Sequence, residues 1–259
     1  MSDSFGERRF SIISPVSRGL KFMFARRNRV LYGRPEFASR ARLILDRLLW
    51  GPLGEYIWRS RRIVGWMRGK EAVELARISY SLPEDAVVVE IGSFLGCSTV
   101  LLAGARKLRE SGKVQCVDPF DASGDAYSVP VYRRIADSAA ASLRESFDEN
   151  IREAGLEEWV EVHQGRAGDV ASAWSLPIDL LFLDADHSYR VVSDTYEKWS
   201  RYLKVGGVIA VHNSAPGRYH EDHDGSSRLV AERIHPPQYS EIRCIATTTF
   251  ARKVMEDDA

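Results

Sequence analysis

No stretch of this sequence holds about 20 consecutive apolar residues, the length a helix needs to cross a bilayer. The first 30 residues also lack the apolar core and small-residue cleavage site of a secretory leader. Cysteine is scarce: Cys97, Cys116 and Cys244 are scattered and odd in number. Such a set excludes a disulfide framework or a zinc site of paired thiols, and reads as buried thiols in a reducing, cytoplasmic protein. Internal repeats and low-complexity tracts are absent too. So is net charge, since 36 Lys+Arg balance 36 Asp+Glu. That balance conceals an asymmetry. Residues 1–70 carry 16 basic against 5 acidic side chains, and the rest of the chain 20 against 31. A basic arm on an acidic body has three uses: docking on that body or on a partner subunit, binding an anionic substrate, or peripheral contact with an anionic membrane. The arginines are not gathered into a nucleic-acid-binding module, so no nucleic-acid partner is expected.

What is present is organised around Ala86 to Thr99, AVVVEIGSFLGCST. Ala86 to Ile91 is a β-branched apolar run that reads as a buried strand, with Glu90 near its end. Gly92-Ser93-Phe94-Leu95-Gly96 makes a tight turn. Ser98-Thr99 then opens an apolar helix over Val100 to Arg109. A strand, a glycine turn and a helix N-terminus form a nucleotide-binding corner. The dinucleotide fingerprint needs G-x-G-x-x-G. Here the spacing is G-x-x-x-G after an acid, which suits an adenosine-bearing ligand without a pyrophosphate.

Upstream, Pro15 to Tyr32 mixes apolar and basic residues at helical spacing. Phe37 to Trp50, Leu53 to Met67 and Lys70 to Ser81 continue the helical pattern. Residues 1–70 are therefore expected to be a basic helical appendage, an acceptor cap or a dimerisation arm of a homodimer, with residues 71–259 as the main domain. Downstream, strands and helices alternate. Strands are expected at Lys113 to Val117, Trp159 to His163, Ile178 to Leu183 and Val208 to Val211. Helices are expected at Asp137 to Ala154, Gly168 to Trp174, Ser193 to Leu203 and Arg228 to Ile234. Glu241 to Ala246 and Thr248 to Lys253 close the chain. This alternation predicts a doubly wound, mostly parallel seven-stranded α/β sheet. The last two strands are joined too tightly for a crossover, so one of them should run antiparallel.

Ligands of open α/β sheets sit at the carboxyl ends of the strands. Strand one is followed by the motif turn, and strand two by Asp118, placed to accept hydrogen bonds from ribose hydroxyls. Strand three leads to Gly165 and Arg166, small and polar residues on the adenine edge. Strand four leads to Asp184-Ala185-Asp186-His187-Ser188-Tyr189. Two carboxylates and an imidazole at the exit of a buried strand are costly to hold without a use. Asp184 is placed to orient a substrate or hold a cation, and His187 has the chemistry of a general base. Strand five leads to His212-Asn213. With Asp184 these make an N/O set for a divalent metal, or else polar lining without one. His220-Glu221-Asp222-His223-Asp224 lies in a loop and reads as a solvated lid. Phe120 to Tyr132 reads as a second long loop on the same side, shaping an acceptor pocket.

Three segments, Glu90 to Thr99, Asp184 to Tyr189 and Gly206 to Asn213, occur in the order and spacing of a known family. Over residues 71–253 the chain resembles class I S-adenosylmethionine (SAM)-dependent methyltransferases of the small-molecule O-methyltransferase type, the group of the catechol, caffeoyl-CoA and macrolide-sugar enzymes. The resemblance implies that Glu90, Gly92, Ser93, Phe94, Gly96, Ser98, Asp118, Gly165, Arg166 and Asp184 surround SAM. It also implies that the acid ending strand four binds magnesium or manganese and that the base lies three residues later, at His187. One departure stands out. The family has Asp-Asp or Asp-Asn after strand five, whereas this chain has His212-Asn213, and imidazole is a poorer magnesium ligand than carboxylate. The resulting expectation is O-methylation of a sugar or phenolic natural product, with Asp184 and His187 catalytic and a metal possible at Asp184, His212 and Asn213. A metal-independent enzyme acting on another acceptor atom, or a non-catalytic SAM-binding scaffold, stands as the alternative.

Overall fold

The computed structural model describes residues 36–255. The chain divides after Arg42 into two compact units. Of the first, the structure describes only the opening turns of helix α1 (Glu36–Trp50). The expected helix at Pro15 to Tyr32 lies outside the described residues. The second unit continues with α2 (Leu53–Ser60) and α3 (Gly69–Ser81). The alternating part follows: β1 (Val88–Ile91), α4 (Cys97–Leu108), β2 (Val114–Asp118), α5 (Val129–Ser138), α6 (Leu143–Glu153), β3 (Val160–Gln164), α7 (Ala167–Ser172), β4 (Ile178–Leu183), α8 (Tyr189–Ser200), β5 (Leu203–Val211), α9 (Gly225–Arg233), β6 (Tyr239–Ile245) and β7 (Thr248–Lys253).

The seven strands form one sheet in the order β3-β2-β1-β4-β5-β7-β6. The pairs among β1 to β5 are parallel, and β7 runs antiparallel to both β5 and β6. The doubly wound sheet and the single reversed strand expected from the short final connection are therefore both present. Chain order reverses direction between β1 and β4, which makes that pair the switch point where a crevice opens.

Side chains alternate across the central strands, and both faces are covered. Val88, Leu180, Phe182, Val208 and Ala210 pack with α2, α3, α4 and α6. Their neighbours Val89, Leu181, Leu183, Ile209 and Val211 pack with α7, α8 and α9. A strand buried on both faces is apolar, which is why β4 is an unbroken hydrophobic run from Leu180 to Leu183, after the partly buried Asp179.

Several boundaries differ from expectation for local reasons. The single helix expected over Asp137 to Ala154 is two. Ser142 ends the break, its hydroxyl accepting from the Glu145 amide while Glu145 reaches back to the Ser142 amide, a capping box that starts α6 afresh. The loop expected to run to Tyr132 ends at Ser128, where Pro130 sits in the first turn of α5. Strand β5 begins at Leu203, so Lys204 to Gly207 lies inside it; the pairing with β4 shifts register there, which the glycines permit. Cys244 is exposed, unlike Cys97 and Cys116, because it lies on β6, the edge strand.

Candidate active site

The turn after β1 is shaped by two glycines. Gly92 has φ +95°, and a Cβ there would lie 2.3 Å from the Asp184 carbonyl oxygen. Only glycine lets the end of β4 come this close. Gly96, at φ +87°, caps α4 and sits against Ile151 and Phe147. Asp118 holds the turn from the other side: its Oδ2 accepts from the Phe94 amide at 2.8 Å and its Oδ1 from the Phe120 amide at 2.6 Å. Each oxygen keeps a further lone pair. Burial raises the Asp118 pKa above the ordinary carboxylate value.

A cavity of about 320 Å³ opens at the switch point, within the size range of small-ligand sites. Of the expected cofactor residues, Gly92, Phe94, Asp118, Arg166 and Asp184 line it. Arg166 also braces its rim, donating to Ser123 Oγ at 2.6 Å and Asp121 Oδ2 at 2.8 Å. Tyr132 adds an aromatic wall, packed on Phe94 and Trp66 with ring centroids 5.2 and 5.5 Å away. Glu90, Ser93, Gly96, Ser98 and Gly165 are not in the lining. Glu90 lies wholly buried beneath the turn, where Thr99 donates to its Oε2 at 2.5 Å and its Oε1 has no partner. Burial pushes its pKa up to about 7 against the hydrogen bonds that favour the carboxylate.

The polar cluster spans the ends of β4 and β5. Asp184 faces the cavity, and its Oδ1 lies 2.6 Å from His212 Nδ1 and 3.9 Å from His187 Nε2. Burial opposes a charge on His212, but the Asp184 carboxylate outweighs it and the pKa is raised. His187 is 3% exposed, and burial brings its pKa down to about 4, so it is neutral at ordinary pH.

Sequence reasoning missed the second half of this cluster. His223, expected on a solvated lid, is buried on a short 3-10 turn (Glu221–His223). Its ring meets that of His187 edge-on at 4.6 Å, and its Nδ1 lies 3.1 Å from Asp125 Oδ1. Burial raises the pKa of Asp125, but hydrogen bonds from His223 and Ser128 outweigh it and hold the carboxyl well below its usual range. Asn213 joins the two imidazoles. Its amide nitrogen is 3.1 Å from His187 Nε2 and 3.5 Å from His223 Nε2, and its oxygen accepts from the Tyr219 hydroxyl at 3.2 Å. Asn213 has φ +53°, a left-handed conformation that asparagine tolerates. One set of protons satisfies this network: both histidines carry hydrogen on Nδ1, His187 toward Ser226 Oγ at 3.4 Å and His223 toward Asp125. The paired histidines of the lid were the one sequence signal available, and Asp125 offered none.

This arrangement does not fit the expected metal. His212 Nδ1 and Asp184 Oδ1 share a proton at hydrogen-bond distance, which an ion held by both would have to displace. The Asn213 oxygen already accepts from the Tyr219 hydroxyl, which holds it in place with one lone pair engaged. Among the described residues no group of three or more His, Cys, Asp or Glu is placed to hold an ion.

Comparison with known proteins agrees with the architecture. Residues 89–214 match the family described as a methyltransferase domain. Three solved structures share the fold. The O-methyltransferase NovP is 19% identical, with 84% of this chain and all of that one covered, at a TM-score of 0.55. The O-methyltransferase TomG from Streptomyces achromogenes, solved in complex with SAM, is 18% identical over 83% of this chain and 96% of its own, at 0.52. An rRNA methylase from Streptococcus thermophilus is 14% identical over 74% of this chain and 100% of its own, at 0.51. The fold thus serves different acceptors, and the acceptor has to be argued from the site.

Proposed function

Because this protein is a SAM-dependent methyltransferase, with its methyltransferase domain over residues 89–214, we propose that it methylates a hydroxyl group of a small molecule. One observation carries the reading: a carboxylate facing the cavity, Asp184, stands 3.9 Å from a buried neutral imidazole, His187. Gly92, Asp118 and Arg166 would hold SAM, which supplies an electrophilic methyl group when bound. The acceptor hydroxyl donates its one hydrogen to His187 Nε2, and the Asp184 carboxylate, steadied by His212, stands beside the imidazolium that forms and stabilises its charge. His187 takes the proton as the new carbon–oxygen bond forms. A hydroxyl proton becomes strongly acidic during that step, so a base with a pKa of about 4 is sufficient. In the structure the Asn213 amide occupies the lone pair on His187 Nε2 and has to move aside first. No step in this reading passes through a metal.

Calorimetric titration with S-adenosylhomocysteine, followed by turnover on a panel of phenols and sugars, tests it. Micromolar binding with transfer to oxygen, lost in His187→Gln while binding persists, is the expected result. Transfer to nitrogen or carbon instead would overturn the O-methylation reading. Binding without turnover on any acceptor, with His187→Gln indifferent, would favour a scaffold.

A further inference from the structure

The loop after β2 and the loop after β5 meet beside the site, where the buried side chains of Asp125 from the first and His223 from the second lie within a hydrogen bond of each other. We infer that Asp125 and His223 are a positioning pair that latches these two loops together and thereby sets Asn213 against His187. This rests on the proposed reading of His187 as the proton acceptor, while the latch itself is observable without turnover.

The geometry is specific. Asp125 Oδ1 accepts from the amides of Tyr127 and Ser128, both at 3.0 Å, so the carboxylate is locked to its own loop before His223 reaches it. The Asp125 side chain is 1% exposed, so its charge has no water to spread into. A carboxylate buried to that degree is tolerated only with donors around it, and His223 is the donor from outside the loop. On the other side, Tyr127 and Tyr219 pack on the His223 ring at centroid distances of 4.9 and 5.5 Å. With its Nδ1 hydrogen committed to Asp125, the imidazole can offer only Nε2 to Asn213. The Asn213 amide then carries one hydrogen to each histidine. Asp125 therefore fixes the tautomer of His223, His223 fixes the amide of Asn213, and Asn213 decides whether the His187 lone pair is covered. None of Asp125, His223 or Tyr219 belongs to the segments that carry the family resemblance.

Hydrogen exchange read by mass spectrometry on the full chain, with and without S-adenosylhomocysteine, tests the latch. His223→Phe keeps the ring and removes both nitrogens. Asp125→Ala removes the acceptor. Each is expected to raise exchange in both loops, 119–128 and 213–226, by roughly tenfold, the scale of one charge-assisted hydrogen bond. Combining them should add little, because either one already opens the latch. His223→Asn places an amide N–H where Nδ1 stood and should restore protection in both loops, which a loss of packing alone would not explain. An increase confined to the substituted loop, or additive effects in the double variant, overturns the inference. Failure to bind S-adenosylhomocysteine would overturn the cofactor reading alone, since the cross-loop coupling is measured without it.

Discussion

Glu90 and His187 are ionisable side chains that burial drives toward neutrality from opposite directions. For Glu90 the folded pKa rises from 4.5 to about 7. Between those values the folded protein holds a proton that the unfolded chain has lost, so this group's contribution to stability falls as pH rises through the window. Glu90→Gln removes the titration. The stability of the wild type relative to the variant should therefore drop by on the order of 3 kcal/mol from pH 4 to pH 8. Urea melts at both ends measure it, and parallel curves would show that Glu90 titrates in the folded protein as it does in the unfolded chain. For His187 the sign is opposite. With a folded pKa of about 4, the folded state declines a proton that the unfolded histidine accepts below 6.5, and the associated stability disappears as pH falls from 6.5 toward 4. A ring-proton titration by NMR should find His187 still neutral at pH 6, and the pH–rate profile should show no His187 limb between pH 5 and 8. Residue identities at these positions were plain in the sequence. Their burial was not, because it depends on which helices cover β1 and β4.

At the level of single elements, the turn after β1 separates two kinds of glycine. Gly92→Ala puts a methyl group 2.3 Å from a backbone oxygen that cannot retreat without disturbing β4. Gly96→Ala meets only side-chain carbons at 3.3 Å, together with the cost of a left-handed residue, about 1–2 kcal/mol. Gly92→Ala should therefore abolish S-adenosylhomocysteine binding by calorimetry, while Gly96→Ala should keep binding and lose thermal stability. Equal effects would mean that the approach of Asp184 to the turn is unimportant. Strands β4 and β7 were legible to the residue because their apolar and β-branched content matches their burial. The break between α5 and α6 was not: Ala139 to Ala141 suit a helix, and only the Ser142–Glu145 capping box restarts it.

For the whole molecule, ligand linkage gives a direct test. S-adenosylhomocysteine at 100 times its dissociation constant should add about 2.7 kcal/mol. For a chain of this size that raises Tm by roughly 5–10 °C. The shift should be the same with magnesium, manganese or EDTA, and a shift that requires metal would restore the ligand set that the geometry disfavours. The charge asymmetry carries its own expectation: pelleting with anionic vesicles at low salt that is lost at high salt. Absence of pelleting at low salt would leave docking or substrate binding as the use of residues 1–70. Among the described residues no helix is long and apolar enough to cross a membrane. The α/β alternation, the reversed final strand, the motif turn and the acids at the ends of β2 and β4 were all readable from the chain, because periodicity and turn chemistry are local. Folding settled the rest. It placed Asp125 and His223, 98 residues apart, within a hydrogen bond of each other, gave His212 to Asp184, and buried Glu90 beneath the turn, outside the cavity lining. Those outcomes depend on how far each loop travels over the sheet edge and what it meets there, and no local pattern encodes that meeting.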